Sequence, residues 1–230
     1  MKISKNRKKL EEKTDHNKIY EPLDAIKFLK QNSYVKFDET LDVSINLGID
    51  TNKTDQNIKG VINLPNGTGK NVIVAVVTSE DKIDDAKKNG ANLVGNNELI
   101  EEIASGKINF EILIASPDMM PALGKVAKIL GPKGLMPNPK LGTVTNEIGK
   151  AVKDAKSGQI KFKNDKSGIV HAGVGKLSFS EENILENLRT VYSSVIKSKP
   201  DSFKGSFIKK VTIASTMGVG LQINQASLRW

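Results

Sequence analysis

Cysteine is absent from the 230-residue chain, so neither disulfides nor thiolate metal sites can form. Histidine is nearly absent, and two imidazoles, His16 and His171, argue against a zinc site. Arginine supplies three of the 35 basic residues, Arg7, Arg189 and Arg229, which leaves a basic surface built from lysine point charges. Such charges suit phosphates better than bidentate reading of bases. The longest wholly apolar run, Val72 to Val77, is far too short to cross a bilayer. The N-terminal arm "MKISKNRKKLEEK" lacks the apolar centre of a signal peptide, and Glu11, Glu12 and Asp15 do not suit a transit peptide. A cytoplasmic protein with no membrane partner is expected.

Catalytic signatures are missing as well. No Gly-x-Ser-x-Gly occurs, so there is no nucleophile elbow. "GTGK" (Gly67 to Lys70) and "GVGK" (Gly173 to Lys176) imitate phosphate loops only in part. Leu64 and Val170 stand where the first glycine is needed, and Asn71 and Leu177 stand where a hydroxyl would meet magnesium. Both read better as turns or hinges. Neither a cofactor nor a catalytic residue is expected.

What is present is positive charge, net +9, which favours a polyanionic partner. Hydrophobic periodicity then divides the chain. In "VKFDETLDVSINLGI", Val35, Phe37, Leu41, Val43, Ile45 and Leu47 share one side of a period-two pattern broken only by Glu39, which predicts a half-buried antiparallel strand. "NVIVAVV", "NLV" and "FEILIA" are instead short continuous apolar runs separated by helical stretches, including one from Pro117 to Leu130. They predict a parallel sheet covered on both faces. Alternating strands return around "NDKSG", followed by an amphipathic helix with Ser180 as N-cap. The fold class expected is α/β and α+β: a discontinuous α+β domain, residues 1–67 and 160–230, with an α/β domain, residues 68–159, inserted in it. The inserted segment has 12 Lys against 11 acidic residues, while the flanks have 23 basic against 15 acidic. Polyanion binding is therefore assigned to the discontinuous domain.

Several local features admit two readings. Phe37 is core if its sheet face is covered and a stacking platform if it is open. Lys5, Lys8 and Lys9 form either a phosphate attractor or a solvated helix face. Lys133 and Lys140, in the stiff loop "GPKGLMPNPKLGTV", either contact RNA or decorate a structural cap. His171 is a hydrogen-bonding surface residue or a structural one. "STMGVG", Ser215 to Gly220, is a bend near a sheet edge, or a contact point where Gly218 admits a ligand beside Thr216 and Met217.

Taken together, "VKFDETLDVSINLGID", "LPNGTGK", "ASPDMMPALGKVAKILGPKGLMPNPKLGTVT", "FKNDKSGIVHAGVGK" and "TMG" resemble the large-subunit ribosomal protein one (L-one) family, in its bacterial form. The segments follow the family's order and span nearly the whole chain. Val219 departs from the family's usual Pro, and Asn66 from its common His. The resemblance implies a split β-α-β core in the discontinuous domain and a Rossmann-like inserted domain. It implies binding to the stalk helices of large-subunit rRNA, as a monomer within the ribosome, with exit-site tRNA and the protein's own operon mRNA as further partners. Carried over by position, the RNA surface would comprise Lys36, Phe37, Glu39, Thr40, Asp165, Lys166, His171, Ser215, Thr216, Met217 and Gly218. An α/β enzyme and a DNA-binding regulator are the competing classes. On the RNA reading, Thr216→Val is expected to weaken rRNA binding at least about tenfold with little loss of stability.

Overall fold

The computed structural model describes residues 4–15, 18–79, 82–200, 203 and 205–228. His16 lies outside them. The chain folds as two compact units, residues 1–69 with 160–230 and residues 70–159.

In the first unit, α1 (Lys5–Lys13) starts where Ser4 Oγ accepts the Arg7 N–H at 3.3 Å, and α2 (Pro22–Gln31) starts on a proline whose missing N–H costs nothing in a first turn. Strand β1 (Thr40–Leu47) is central in a four-stranded antiparallel sheet. Its neighbours are β7 (Ile169–Lys176) on one side and β8 (Ile208–Ser215), then the edge strand β9 (Leu221–Gln222), on the other. Leu41, Val43, Ile45 and Leu47 point from β1 into the core. There they meet Ala25, Ile26 and Leu29 of α2 and the stripe Ile184, Leu188, Val191 and Val195 of α8 (Glu181–Lys197). Each of the Val, Leu and Ile side chains contributes about 1.5–3 kcal/mol on burial. The opposite face of β1 carries Thr40, Asp42, Ser44 and Asn46, all partly or fully exposed. Helix α8 starts on Ser180, whose Oγ accepts the Asn183 N–H at 3.2 Å.

Strand β2 (Lys59–Asn63) pairs with β6 (Gln159–Lys163) in a separate ribbon. The chain leaving β2 is pinned by Asn187, which is wholly buried. Its amide donates to the carbonyls of Val174 and Gly67 at 2.8 and 3.0 Å and accepts the Asn66 N–H at 3.2 Å. The Asn66 side-chain amide also donates to Glu186 at 2.7 Å.

The second unit has a three-stranded parallel sheet in the order β4 (Leu93–Gly95), β3 (Val74–Val77), β5 (Ile112–Ala115). Ala75 and Val77 face one layer with α4 (Asn97–Ala104), while Val74 and Val76 face the other with α3 (Ile83–Lys88) and α7 (Ile148–Lys156). Burial on both faces explains why these strands read as continuous apolar runs.

Two expectations need correction. The strand expected from Val35 begins only at Thr40, because the chain bends at Lys36 and Phe37 and Asp38 turns aside. The Asp38 carboxylate accepts the N–H and hydroxyl of Ser178 at 3.1 and 2.7 Å. The helix expected over Pro117 to Leu130 is a succession of short pieces, with α5 (Met120–Leu123) and α6 (Ala127–Leu130) separated by tighter turns. Pro121 lacks a donor and Gly124 disfavours helix, so a continuous ladder is not sustained.

Candidate nucleic-acid interface

The hairpin joining β8 to β9 is tied to the residues entering β1. Glu39, the residue that interrupts the apolar pattern, lies in the buried register and is 2% exposed. One carboxylate oxygen accepts the Met217 N–H at 2.7 Å, and the other accepts the Ser215 hydroxyl at 3.2 Å. One residue on, Thr216 extends the β1 pairing. Its N–H donates to the Thr40 carbonyl at 3.1 Å, and its hydroxyl accepts the Thr40 N–H at 3.0 Å and donates back to that carbonyl at 3.2 Å. Lys176 closes the far side by donating to Thr40 Oγ1 at 2.9 Å.

This arrangement holds two large apolar side chains in water. Phe37 is 54% exposed and Met217 44%. Leaving both in solvent forgoes burial energy that a partner surface could recover. The core reading of Phe37 is thus excluded. Glu39 and Ser215 are supports beneath the surface, since Ser215 is 5% exposed. Gly218 is also explained from within. A Cβ there would lie 2.3 Å from Ser215 Oγ, so the glycine makes room for the hydroxyl that bonds Glu39. Ligand access is not needed to account for it.

A second group lies toward the other end of β1. His171 is opposite Ser44, and its Nδ1 is 3.0 Å from Ser44 Oγ. Its Nε2 lies 3.7 Å from the Asp165 carboxylate. Asp165 accepts the Ile169 and Ser167 N–H groups at 2.8 and 2.9 Å. These backbone bonds, helped by His171, hold its carboxyl below the usual range. Lys166 offers its carbonyl to the Thr51 hydroxyl at 2.8 Å and lines a cleft of about 650 Å³ with Lys59, Lys163 and Asn164. From Thr40 to Ser44 is four residues of strand, roughly 13 Å, so the two groups are distinct patches of one sheet.

Of the accessory lysines, Lys5, Lys8 and Lys9 lie exposed on α1, and Lys133 is exposed in the second unit. The Lys140 side chain falls outside what is described. The loop bearing both is anchored by the buried Thr143, whose hydroxyl accepts the Asn138 N–H at 2.8 Å, and by the pairing of Val144 with Ala115 of β5. Lys59, Lys163 and Tyr34 were not among the sequence-based candidates. Tyr34 in particular gives no periodic signal, yet its hydroxyl donates to the Met217 carbonyl at 3.4 Å.

The family described as ribosomal protein L1p/L10e matches residues 29–219. The chain belongs to the ribosomal protein L1p/L10e family. It is 54% identical over 217 residues to the large ribosomal subunit protein uL1 of Rickettsia akari (strain Hartford), covering 94% of this chain and 91% of the relative. The uL1 protein of Rickettsia peacockii (strain Rustic) is 53% identical over the same extents, and that of Rickettsia bellii (strain OSU 85-389) is 52% identical over 94% and 90%. This L1-family chain is a structural ribosomal protein, not an enzyme. Among the described residues no helix is long and apolar enough to cross a membrane.

Proposed function

We propose that the chain binds large-subunit rRNA through the discontinuous unit, with Phe37, Thr40, Thr216 and Met217 as the contact surface. As a ribosomal protein of the large subunit it works on the ribosome in the cytoplasm. The finer reading is that it forms the mobile stalk at the tRNA exit site as a monomer, helps release deacylated tRNA, and represses translation of its own operon mRNA by binding a similar RNA structure.

The observation that carries the RNA assignment is the pair of exposed apolar side chains, Phe37 at the bend before β1 and Met217 held through its N–H by Glu39. RNA is read through shape, 2′-hydroxyls and bases that can stack, so a pinned surface of this kind needs no arginine forks. The test is a salt series of filter-binding titrations of the full chain against a stalk rRNA fragment and the corresponding DNA duplex. Tighter binding to RNA at every salt concentration supports the reading. Equal affinity would make the chain a nonspecific polyanion binder, and tighter binding to the duplex would favour the DNA-binding alternative.

A further inference from the structure

The surface described above ends at Tyr34, and beyond Tyr34 a cleft begins. Helix α1 is anchored by Leu10, 7% exposed, so the residues at helical spacing around Leu10 face the rest of the unit. Asn6, Lys9 and Lys13 form one wall of a cleft of about 220 Å³, and Asn32, Ser33 and Tyr34 form the other. Neither lysine is in an ion pair with another described residue. The Asn32 amide N–H donates to the Phe28 carbonyl at 2.8 Å, which leaves its oxygen available as an acceptor. Tyr34 is 38% exposed, and its hydroxyl donates to the Met217 carbonyl.

We propose that this cleft receives one unstacked RNA base against the Tyr34 ring, with the neighbouring phosphates on Lys9 and Lys13. The chemistry matches each part of such a nucleotide. An aromatic face stacks on any base, amide and hydroxyl groups meet its polar edge, and paired ammonium groups meet the backbone. The hydrogen bond from Tyr34 to Met217 makes the cleft continuous with the proposed RNA surface, on which this inference rests. Of the arm lysines, the cleft selects Lys9 and adds Lys13, leaving Lys5 and Lys8 outside it.

The test uses the full chain and the stalk rRNA fragment, with circular dichroism to confirm that each variant is folded. Tyr34→Ala is expected to weaken binding roughly 5- to 150-fold, the range for loss of one stacked base, while Tyr34→Phe stays within about twofold of wild type. The Lys9→Ala, Lys13→Ala double variant is expected to flatten the salt dependence by the equivalent of about two phosphate contacts. If Tyr34→Phe is as harmful as Tyr34→Ala, the tyrosine acts through its hydroxyl on Met217, and the stacking site is overturned. Unchanged affinity in Tyr34→Ala overturns it equally. Failure of the broader RNA reading is distinguishable, because then the wild-type chain itself would not prefer the RNA fragment over DNA.

Discussion

Glu39 and Met217 are joined across 178 residues of sequence by a 2.7 Å hydrogen bond from the Met217 N–H to a carboxylate that is almost wholly buried. The exposed turn therefore owes its position to a residue that does not reach the surface. Glu39→Leu keeps most of the volume but removes both acceptors, so the Met217 N–H and the Ser215 hydroxyl lose their shared partner. A buried group left unpaired costs about 1–3 kcal/mol. Urea denaturation is expected to show a loss in that range, together with at least about tenfold weaker binding to the stalk rRNA fragment. A variant as stable as wild type would mean that the carboxylate does not brace the turn.

The contact between Gly218 and Ser215 makes a separate prediction. Gly218→Ala forces the Ser215 hydroxyl away from Glu39, because the new Cβ would lie 2.3 Å from that oxygen. A destabilisation of about 1–3 kcal/mol is expected, from overpacking and the lost hydrogen bond. Ser215→Ala removes the obstructing atom. In the Ser215→Ala, Gly218→Ala double variant the glycine substitution is then expected to cost much less, a coupling that a double-mutant cycle measures by denaturation. Additive losses would show that Gly218 is needed for some other reason.

The interruption at Glu39 was visible in the sequence as a charged residue in an apolar register, but its meaning was not. Its partners, Ser215 and Met217, lie at the end of β8 and in the turn after it, and local periodicity carries no information about pairing at that separation. Phe37 was misleading for a related reason. It obeys the strand's alternation, yet the backbone turns aside at Asp38 to meet Ser178, a contact made through a loop far along the chain. The apolar runs of β3 and β5 were easier to read because burial on both faces writes itself into consecutive residues. Tyr34 and the α1 cleft depend on how α1 lies against the segment that leaves α2, which composition does not encode.

Thr216 requires a revised expectation. Its hydroxyl already serves both backbone groups of Thr40, so Thr216→Val, first expected to spare stability, removes two internal hydrogen bonds in addition to any contact with RNA. A stability loss of about 1 kcal/mol is expected from such partly solvated bonds. Thr216→Ser keeps the hydroxyl and is expected to retain both stability and RNA affinity. Serine behaving like valine would indicate that the methyl group, not the hydroxyl, is what the RNA or the sheet requires.

Asp42 offers a pH-dependent test on the open face of the same strand. Partial burial raises its carboxyl above the ordinary value of 3.8, against the opposing pull of His171 and Lys176. The folded state thus holds this proton more tightly than the unfolded state does. Its contribution to stability is fully present below 3.8 and is lost as pH rises through the elevated folded value. At neutral pH the ionised group opposes folding, so Asp42→Asn is expected to raise the melting temperature at pH 7, with the gain shrinking toward zero below pH 3.8. Thermal denaturation of both proteins across pH 3 to 8 measures the difference. A gain that persists at acid pH would assign the effect to packing or hydrogen bonding at position 42, and a loss at neutral pH would mean that the attraction of His171 and Lys176 outweighs the cost of burial.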